Sequence, residues 1–134
     1  MAYEIPILDD TFAAAGPIIQ YRVVTLGTGG IKMSTGTPVL ARVVGVSQMA
    51  GTTANPLTNV AVRCLGITKC EASTAALARG AYVSPTSGAA STASQLGGTV
   101  KATTAQVVSI GVALTSAAAA AAGNKRYVSV LLRM

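Results

Sequence analysis

Carboxylates are the first side chains to examine for acid–base catalysis or metal binding, and this sequence contains four. Glu4, Asp9 and Asp10 fall within the first twenty residues, and Glu71 is the single carboxylate of the remaining chain. Asp9 and Asp10 are adjacent, so in an extended segment they point to opposite faces and cannot easily share a proton or a metal ion. One isolated carboxylate supplies neither a glycosidase pair nor a metal cage. The acidic residues therefore predict no catalytic or metal site.

The other reactive residue types lead to the same conclusion. The sequence has no histidine, so the commonest general base and metal ligand is missing, and the many serines and threonines lack an activating base. Lys32 and Lys101 would each need a desolvated pocket to act as nucleophiles, and a single domain of 134 residues has little room for one. The glycine-rich run at 27–30 has neither spacing of the phosphate-binding loops. We predict a protein that is not an enzyme and that holds no cofactor or metal.

Cys64 and Cys70 are the two cysteines of the chain. In one continuous strand their Cα atoms would lie about 20 Å apart, which is too far for a disulfide, and only a turn at Gly66 could bring them together. Two thiols also lack the further ligands of a metal site. We therefore predict buried free thiols, as is typical of a reducing compartment.

An internal repeat predicts the elements that carry these residues. Residues 43–46 and 57–64 form two apolar runs around a polar loop, and residues 108–113 and 127–132 repeat the pattern around an alanine-rich loop. Gly45 and Gly111 lie 66 positions apart, while Val60 and Val128 lie 68 apart, so only the loop has lengthened. Each copy follows a short run with a tyrosine and then a glycine-rich turn that leads to a lysine. This spacing predicts a duplicated module of short strands.

The repeat predicts an all-β fold, a small two-module barrel or sandwich with an extended N-terminal arm. We place the arm at residues 1–20, module one at 21–66, a connector at 67–79 and module two at 80–134. Two prolines keep the arm extended, and its predicted binding residues are Ile5, Ile7, Leu8, Asp9, Asp10 and Phe12. The arm docks along a neighbouring subunit in this interpretation, and the alternative is a frayed terminus.

Strand alternation assigns side chains to the two faces of each final strand. In module one, Val60, Val62 and Cys64 are predicted to face inward and Arg63 outward. In module two, inward positions are predicted for Val128, Val130 and Leu132, and outward positions for Ser129, Leu131 and Arg133. The candidate interface residues are Arg63, Lys125, Arg126, Leu131 and Arg133.

Charge is divided unevenly along the chain. Residues 1–20 carry three acids and no base, net −3, whereas the rest carries ten bases against Glu71, net +9. An acidic arm on a basic body suits docking on charged neighbours. The basic body also leaves a second function open, a small β-barrel that binds nucleic acid, although most arginines stand singly and the stacking aromatics are limited to tyrosines.

The uncharged segment at 102–124 is weighed as a membrane span. Lys101 and Lys125 flank it, and the mean hydropathy of the whole chain is +0.55. However, polar residues interrupt the segment and its longest apolar run is alanine, so the repeat explains it better than a transmembrane helix does.

Several short motifs resemble the small capsid cement, or head decoration, proteins of tailed bacteriophages. The resemblance covers most of residues 21–132, and the motifs are Tyr-Arg-Val-Val at 21–24, Arg-Cys-Leu-Gly-Ile at 63–67, Arg-Gly-Ala-Tyr-Val-Ser at 79–84, Ile-Gly-Val-Ala-Leu at 110–114 and Val-Ser-Val-Leu-Leu at 128–132. The run of alanines at 117–122 and Cys64 depart from the pattern.

The resemblance implies a structural virion protein made in the host cytoplasm. Such a protein binds the outer surface of an assembled head and clamps neighbouring major capsid proteins together. Its partners would be the major capsid protein and other copies of itself, commonly as trimers and sometimes as dimers or monomers. Neither a membrane nor direct nucleic-acid contact is expected in this reading.

Overall fold

The computed structural model describes residues 2–35, 43–51, 59–86, 96–104, 109–121 and 124–133. Within these ranges the chain forms nine β-strands and no helix. The strands are β1 (Ile5–Ala13), β2 (Val23–Gly27), β3 (Gly30–Met33), β4 (Val43–Ser47), β5 (Asn59–Glu71), β6 (Tyr82–Pro85), β7 (Val100–Thr103), β8 (Gly111–Ala113) and β9 (Tyr127–Leu132). They pair antiparallel in one curled sheet that forms a half-barrel, so the predicted all-β class is confirmed.

The strand order of the sheet has an internal symmetry. The order is β3-β2-β4-β5-β9-β8-β6-β7, with β1 added on β5. From each outer edge inward, the sheet therefore repeats the same sequence of connections, β3-β2-β4-β5 in one half and β7-β6-β8-β9 in the other. The internal duplication predicted from the sequence is present as two equivalent half-sheets that meet where β5 pairs with β9.

The strand registers agree with the predicted spacing of the repeat. Val46 and Ser47 pair with Arg63 and Val62 on β5, and the residues 66 positions later, Val112 and Ala113, pair with Leu131 and Val130 on β9. The hairpins correspond too, because Thr25 faces Lys32 as Ser84 faces Lys101.

Glycine is required where β4 and β8 approach the last strand of each half. A Cβ atom placed on Gly45 would lie 2.1 Å from the carbonyl oxygen of Arg63, and one on Gly111 would lie 2.2 Å from that of Leu131. Contacts this short are excluded for a real side chain, so glycine alone fits. The glycines that revealed the duplication are therefore required for close packing of the strands.

Strand β5 belongs to both halves of the sheet. Its first part is the last strand of the first half and is equivalent to β9. Its second part is the first strand of the second half and is equivalent to β1. Thr11 pairs with Ala61 on β5 in the same way that Lys69 of β5 pairs with Ser129 on β9. Residues 67–71, which the sequence division assigned to a connector, thus lie in a continuous strand, and residues 5–13 of the predicted arm form β1.

A short parallel bridge curls each half of the sheet. Ala14 bridges to Ile31 in the first half, and Ala72 bridges to Val100 in the second. Backbone hydrogen bonds accompany both bridges: the Ala15 amide donates to the Ile31 carbonyl at 2.7 Å, and the Ser73 amide donates to the Val100 carbonyl at 2.9 Å. The same kind of contact therefore curls both halves.

The two cores are built mainly from valine and other small residues. One contains Ala14, Ile18, Val24, Ile31, Met33, Val60 and Val62, and the other contains Val23, Val46, Cys70, Leu77, Val83, Val100, Ile110, Ala113, Val128, Val130 and Leu132. The inward positions predicted for the valines of β5 and for Val128, Val130 and Leu132 of β9 are buried. Cys64 is half-buried and packs against the first core.

A buried ion pair joins the two halves. The Arg22 guanidinium donates to both carboxylate oxygens of Glu71, at 2.9 and 3.2 Å, and to the carbonyl of Gly97 at 3.2 Å. Its side chain is 0% exposed and that of Glu71 is 6% exposed. Because Arg22 comes from the first half and Glu71 and Gly97 from the second, the pair ties the halves together with charge-assisted hydrogen bonds.

Some sequence predictions concern residues outside the described ranges. These are residues 57–58 and 108 of the repeat and part of the alanine-rich run at 117–122. Within the described parts of the segment at 102–124, the chain is strand or irregular. Among the residues that the structure describes, no helix is long and apolar enough to cross a membrane.

Candidate interaction surface

The N-terminal segment is held against its own chain at Arg63. The guanidinium donates to both carboxylate oxygens of Asp9, at 2.8 and 2.9 Å, and to the Ile67 carbonyl at 3.2 Å. This hydrogen-bonded pairing lowers the pKa of Asp9 and raises the pKa of Arg63. Arg63 has the predicted outward parity, but its side chain is only 8% exposed because residues of its own arm cover it, and its place at an interface stays a prediction.

Tyr3 and Glu4 extend this contact across the sheet. The buried Ser129 hydroxyl donates to the Tyr3 carbonyl at 2.7 Å and accepts a hydrogen bond from the Tyr3 amide. A Glu4 carboxylate oxygen lies 3.6 Å from Nη1 of Arg63, close enough for an ion pair. Ser129 was predicted to face solvent, but the backbone of the arm covers it.

Gly66 allows the arm to lie this close to β5. Pro6 pairs with Gly66, and a Cβ atom on Gly66 would lie 2.4 Å from the Ile5 carbonyl oxygen. Its φ of +117° is also a conformation that other residues rarely adopt. The pairing of β1 with β5 becomes irregular here, with register shifts on both sides of Leu8. The arm is thus regular from Asp9 onward and irregular before it.

Apolar side chains form an exposed outer strip along β1, β5 and β9. We define the outer strip as Tyr3, Ile5, Ile7, Leu8, Leu65, Tyr127 and Leu131, which are 37% to 67% exposed. The remaining exposed large hydrophobic residues of the described chain are Leu26 and Met49, so exposure is concentrated on one surface. Strand pairing connects the strip, since Leu8 faces Leu65, and Ile67 faces both Ile5 and Leu131. Exposed patches of this kind mark interaction surfaces.

An aromatic group lies at the β9 end of the strip. The rings of Tyr21 and Tyr127 meet edge to face with centroids 5.5 Å apart, and the Lys69 ammonium lies 5.8 Å from the Tyr21 centroid. Burial raises the pKa of Tyr127. Tyr21 has a φ of 64°, an uncommon backbone conformation for a bulky residue. The structure therefore keeps a strained tyrosine at this position.

The structure separates the predicted arm residues into two groups. Ile5, Ile7 and Leu8 are exposed on β1, as an arm that contacts a neighbour requires. Phe12 instead packs against the core of the first half and is not free as an anchor. Asp9 is engaged by Arg63, and Asp10 is exposed, with its carboxylate accepting from the Thr11 amide at 2.8 Å.

The remaining candidate interface residues are scattered. Lys125 and Arg133 are exposed, and the Arg133 guanidinium lies 5.4 Å from the centroid of the Tyr82 ring. Arg126 is half-buried and donates to the Ser73 carbonyl. Leu131 belongs to the outer strip. Of the five candidates, only Leu131 therefore belongs to the same exposed apolar surface as the arm residues.

Residues that could support chemistry are not gathered anywhere in the described parts of the chain. There, no group of three or more histidine, cysteine, aspartate or glutamate side chains could hold a metal ion. Cys64 and Cys70 are both free thiols, and burial raises the pKa of each. A raised thiol pKa lowers the thiolate fraction, so neither cysteine is an activated nucleophile.

Four residues of this surface were not singled out from the sequence: Tyr3, Leu65, Tyr127 and Tyr21. Tyr3 and Leu65 carried an available signal, because each is a large apolar residue next to an already identified segment. The pairing of Tyr21 with Tyr127 gave no sequence signal, since the two residues lie in different halves of the chain.

Comparison with known proteins found no matching family model, no matching curated protein and no matching solved structure.

Proposed function

We propose that the chain is a structural virion protein of a tailed bacteriophage that binds the outer surface of an assembled head. It clamps neighbouring major capsid proteins together and so stabilises the capsid. The observation that carries the proposal is the outer strip, an exposed apolar surface that includes the N-terminal arm. The motif resemblance described above supplies the class of partner.

The charges around the outer strip favour an apolar contact. Arg63 is neutralised by Asp9 and Glu4, and Arg22 is neutralised by Glu71. A partner that covers the strip therefore does not have to desolvate these charges without compensation. Each contact is of modest size, but many identical copies on a closed shell would act together through avidity.

Co-sedimentation with heads that lack the protein tests this proposal. We expect saturable binding at a fixed ratio to the capsid subunit and a higher melting temperature of the head. Ile7→Ser with Leu8→Ser should weaken the binding at least tenfold, because the strip loses its most exposed side chains.

Leu26→Ser is the matched control for this experiment. Leu26 is 51% exposed, but it lies on the β2–β3 hairpin away from the strip. Its replacement should leave head binding unchanged. Equal losses in the control and the strip variant, or no binding by the native chain, would contradict the proposal.

The aromatic group favours a second candidate function, nucleic-acid binding. Tyr21 and Tyr127 present rings beside Lys69, and bases stack on such rings in single-strand-binding proteins. A gel shift with single-stranded DNA over a salt series tests this alternative. Strong salt-dependent binding that is lost in Tyr127→Ala, without binding to heads, would establish it in place of the capsid function.

A further inference from the structure

The contacts of the arm with its own chain are complete at Asp9 and incomplete before it. Asp9 accepts two hydrogen bonds from the Arg63 guanidinium. Glu4 reaches the same guanidinium at 3.6 Å, and its Oε1 is buried without a hydrogen-bond partner. An unsatisfied buried carboxylate oxygen is costly. Together with the register shifts around Leu8, this places a boundary between a firmly docked part of β1, from Asp9 onward, and a loosely docked segment of residues 2–8.

The loosely docked segment directs its polar groups toward the protein and its apolar side chains toward solvent, the reverse of the usual arrangement. Its polar contacts, from Tyr3 to Ser129 and from Glu4 to Arg63, point toward the sheet. Its apolar side chains, Ile5, Ile7 and Leu8, point to solvent. A segment that was stable in this position alone would bury the apolar side chains and expose the acid. In a single chain, the apolar side chains of this segment therefore remain in contact with water.

The chain itself contains the complementary surface for residues 2–8. That surface consists of the Ser129 hydroxyl, the bare backbone at Gly66 and the Arg63 guanidinium. The four carboxylates of the chain are Glu4, Asp9, Asp10 and Glu71, and Glu71 is held by Arg22. A second carboxylate for Arg63 must therefore come from an N-terminal segment, either its own or that of another copy.

We propose that residues 2–8 exchange between two copies of this chain, so that Glu4 and Tyr3 of one copy bind Arg63 and Ser129 of the other. Asp9 stays on its own Arg63 and the chain crosses over at the irregular pairing around Leu8. Exchange reuses every contact seen within one chain, which makes it a low-cost route to association. It also brings the outer strips of the two copies together, which buries apolar surface that one copy leaves in water. The inference rests on the proposed function for the role of the outer strip.

Disulfide trapping between two differently labelled chains tests the exchange on purified protein without heads. Ile5 and Ile67 are strand partners, so Ile5→Cys in one chain and Ile67→Cys in the other should form a cross-linked heterodimer on mild oxidation. Both chains carry Cys64→Ser to remove the half-buried thiol. The heterodimer fraction should rise with protein concentration, and Ile7→Ser with Leu8→Ser should reduce it at least fivefold.

A second cysteine pair provides the matched control. Thr11 and Ala61 are also strand partners, but Thr11 lies in the part of β1 that stays with its own chain, paired with Ala61 on β5. Thr11→Cys mixed with Ala61→Cys should give no heterodimer, whereas both substitutions in one chain should give a cross-linked monomer. The single chain with Ile5→Cys and Ile67→Cys shows that this pair can cross-link at all. If it closes within a monomer while the mixed chains give no heterodimer at any concentration, the exchange is refuted, and head binding can still be measured independently.

Discussion

The two halves of this protein share a strand order and a strand register, although many equivalent positions carry different side chains. The Tyr21 amide donates to the Ser47 carbonyl as the Gly80 amide donates to the Ala113 carbonyl, and the hydrogen bonds that follow along the chain correspond as well. Four of the differences replace a small or apolar residue of one half with a charged or aromatic residue of the other, at the junction and on the outer surface: Arg22 against Ala81, Glu71 against Ala13, Tyr21 against Gly80 and Arg63 against Leu131. Small residues therefore specify the fold twice, while the larger and charged exceptions join the halves and hold the arm.

The largest effect should come from breaking the ion pair that distinguishes the junction. Arg22→Ala places the residue of the second half at this position and leaves the buried Glu71 carboxylate without its partner. We expect a loss of about 3–5 kcal/mol in the free energy of unfolding, measured by urea denaturation. Arg22→Ala with Glu71→Ala should recover a large part of this loss, because the uncompensated charge is gone. A double variant no more stable than Arg22→Ala would show that packing, and not charge, joins the halves.

The equivalence of the two halves can be tested at their glycines. Gly45→Ala and Gly111→Ala each place a Cβ atom against a strand carbonyl at nearly the same distance. Each should destabilise the protein by about 3 kcal/mol, the upper end of the usual cost of overpacking. Gly16→Ala is the control, because its Cβ would meet Lys32 at an ordinary 3.6 Å. Melting temperatures of the two variants that differ by more than the experimental error would contradict a true structural repeat.

The backbone strain at Tyr21 should appear as a smaller difference. Tyr21 and Gly80 occupy equivalent positions, with φ of 64° and 88°. Tyr21→Gly should be more stable than Tyr21→Ala by about 1 kcal/mol, since both lose the ring and only glycine adopts this conformation freely. Gly80→Ala should cost a similar amount, because nothing lies within 4 Å of the added Cβ. Chemical denaturation of the three variants measures both differences, and equal stability of the two Tyr21 variants would exclude strain.

The smallest effect is the pH dependence of the Asp9 contact. The hydrogen bonds from Arg63 lower the pKa of Asp9 in the folded chain below the value of about 3.9 for an unfolded aspartate. The stabilisation is therefore present above the unfolded pKa and is lost as the pH falls through the lowered folded pKa. Because the carboxylate is partly exposed, we expect less than about 1 kcal/mol. Urea titrations from pH 6 to pH 2.5 should show a weaker acid destabilisation in Asp9→Asn than in the native chain, and parallel curves would contradict this contact.

The sequence was sufficient for the fold class and for the duplication because both depend on residues that repeat. Gly45 and Gly111 are needed for close strand packing, and alternating valines fill each core. The free cysteines were also predicted, although Cys64 is half-buried. Local pattern and tertiary structure agree wherever a residue acts through its own strand.

The candidate surface was predicted less completely, because alternation assigns a face and does not show what covers it. Arg63 has the outward parity of its strand, yet an arm more than fifty residues earlier in the sequence covers it. Phe12 was placed on a free arm, although β1 is the counterpart of the second part of β5 and contributes to a core. Strand pairing between segments that are distant in the sequence determines the burial of both side chains. The spacing of residues within either segment gives no information about that pairing.

Strand β5 also determines how the molecule can bridge its neighbours. Because one uninterrupted strand of thirteen residues passes through both halves, the halves have no linker about which to swing. Any surface on the first half is then held at a constant distance and angle from any surface on the second. A partner bound by both halves at once must present its two sites at that one separation. The protein would therefore bind only where the sites on the partner surface have the matching distance and angle.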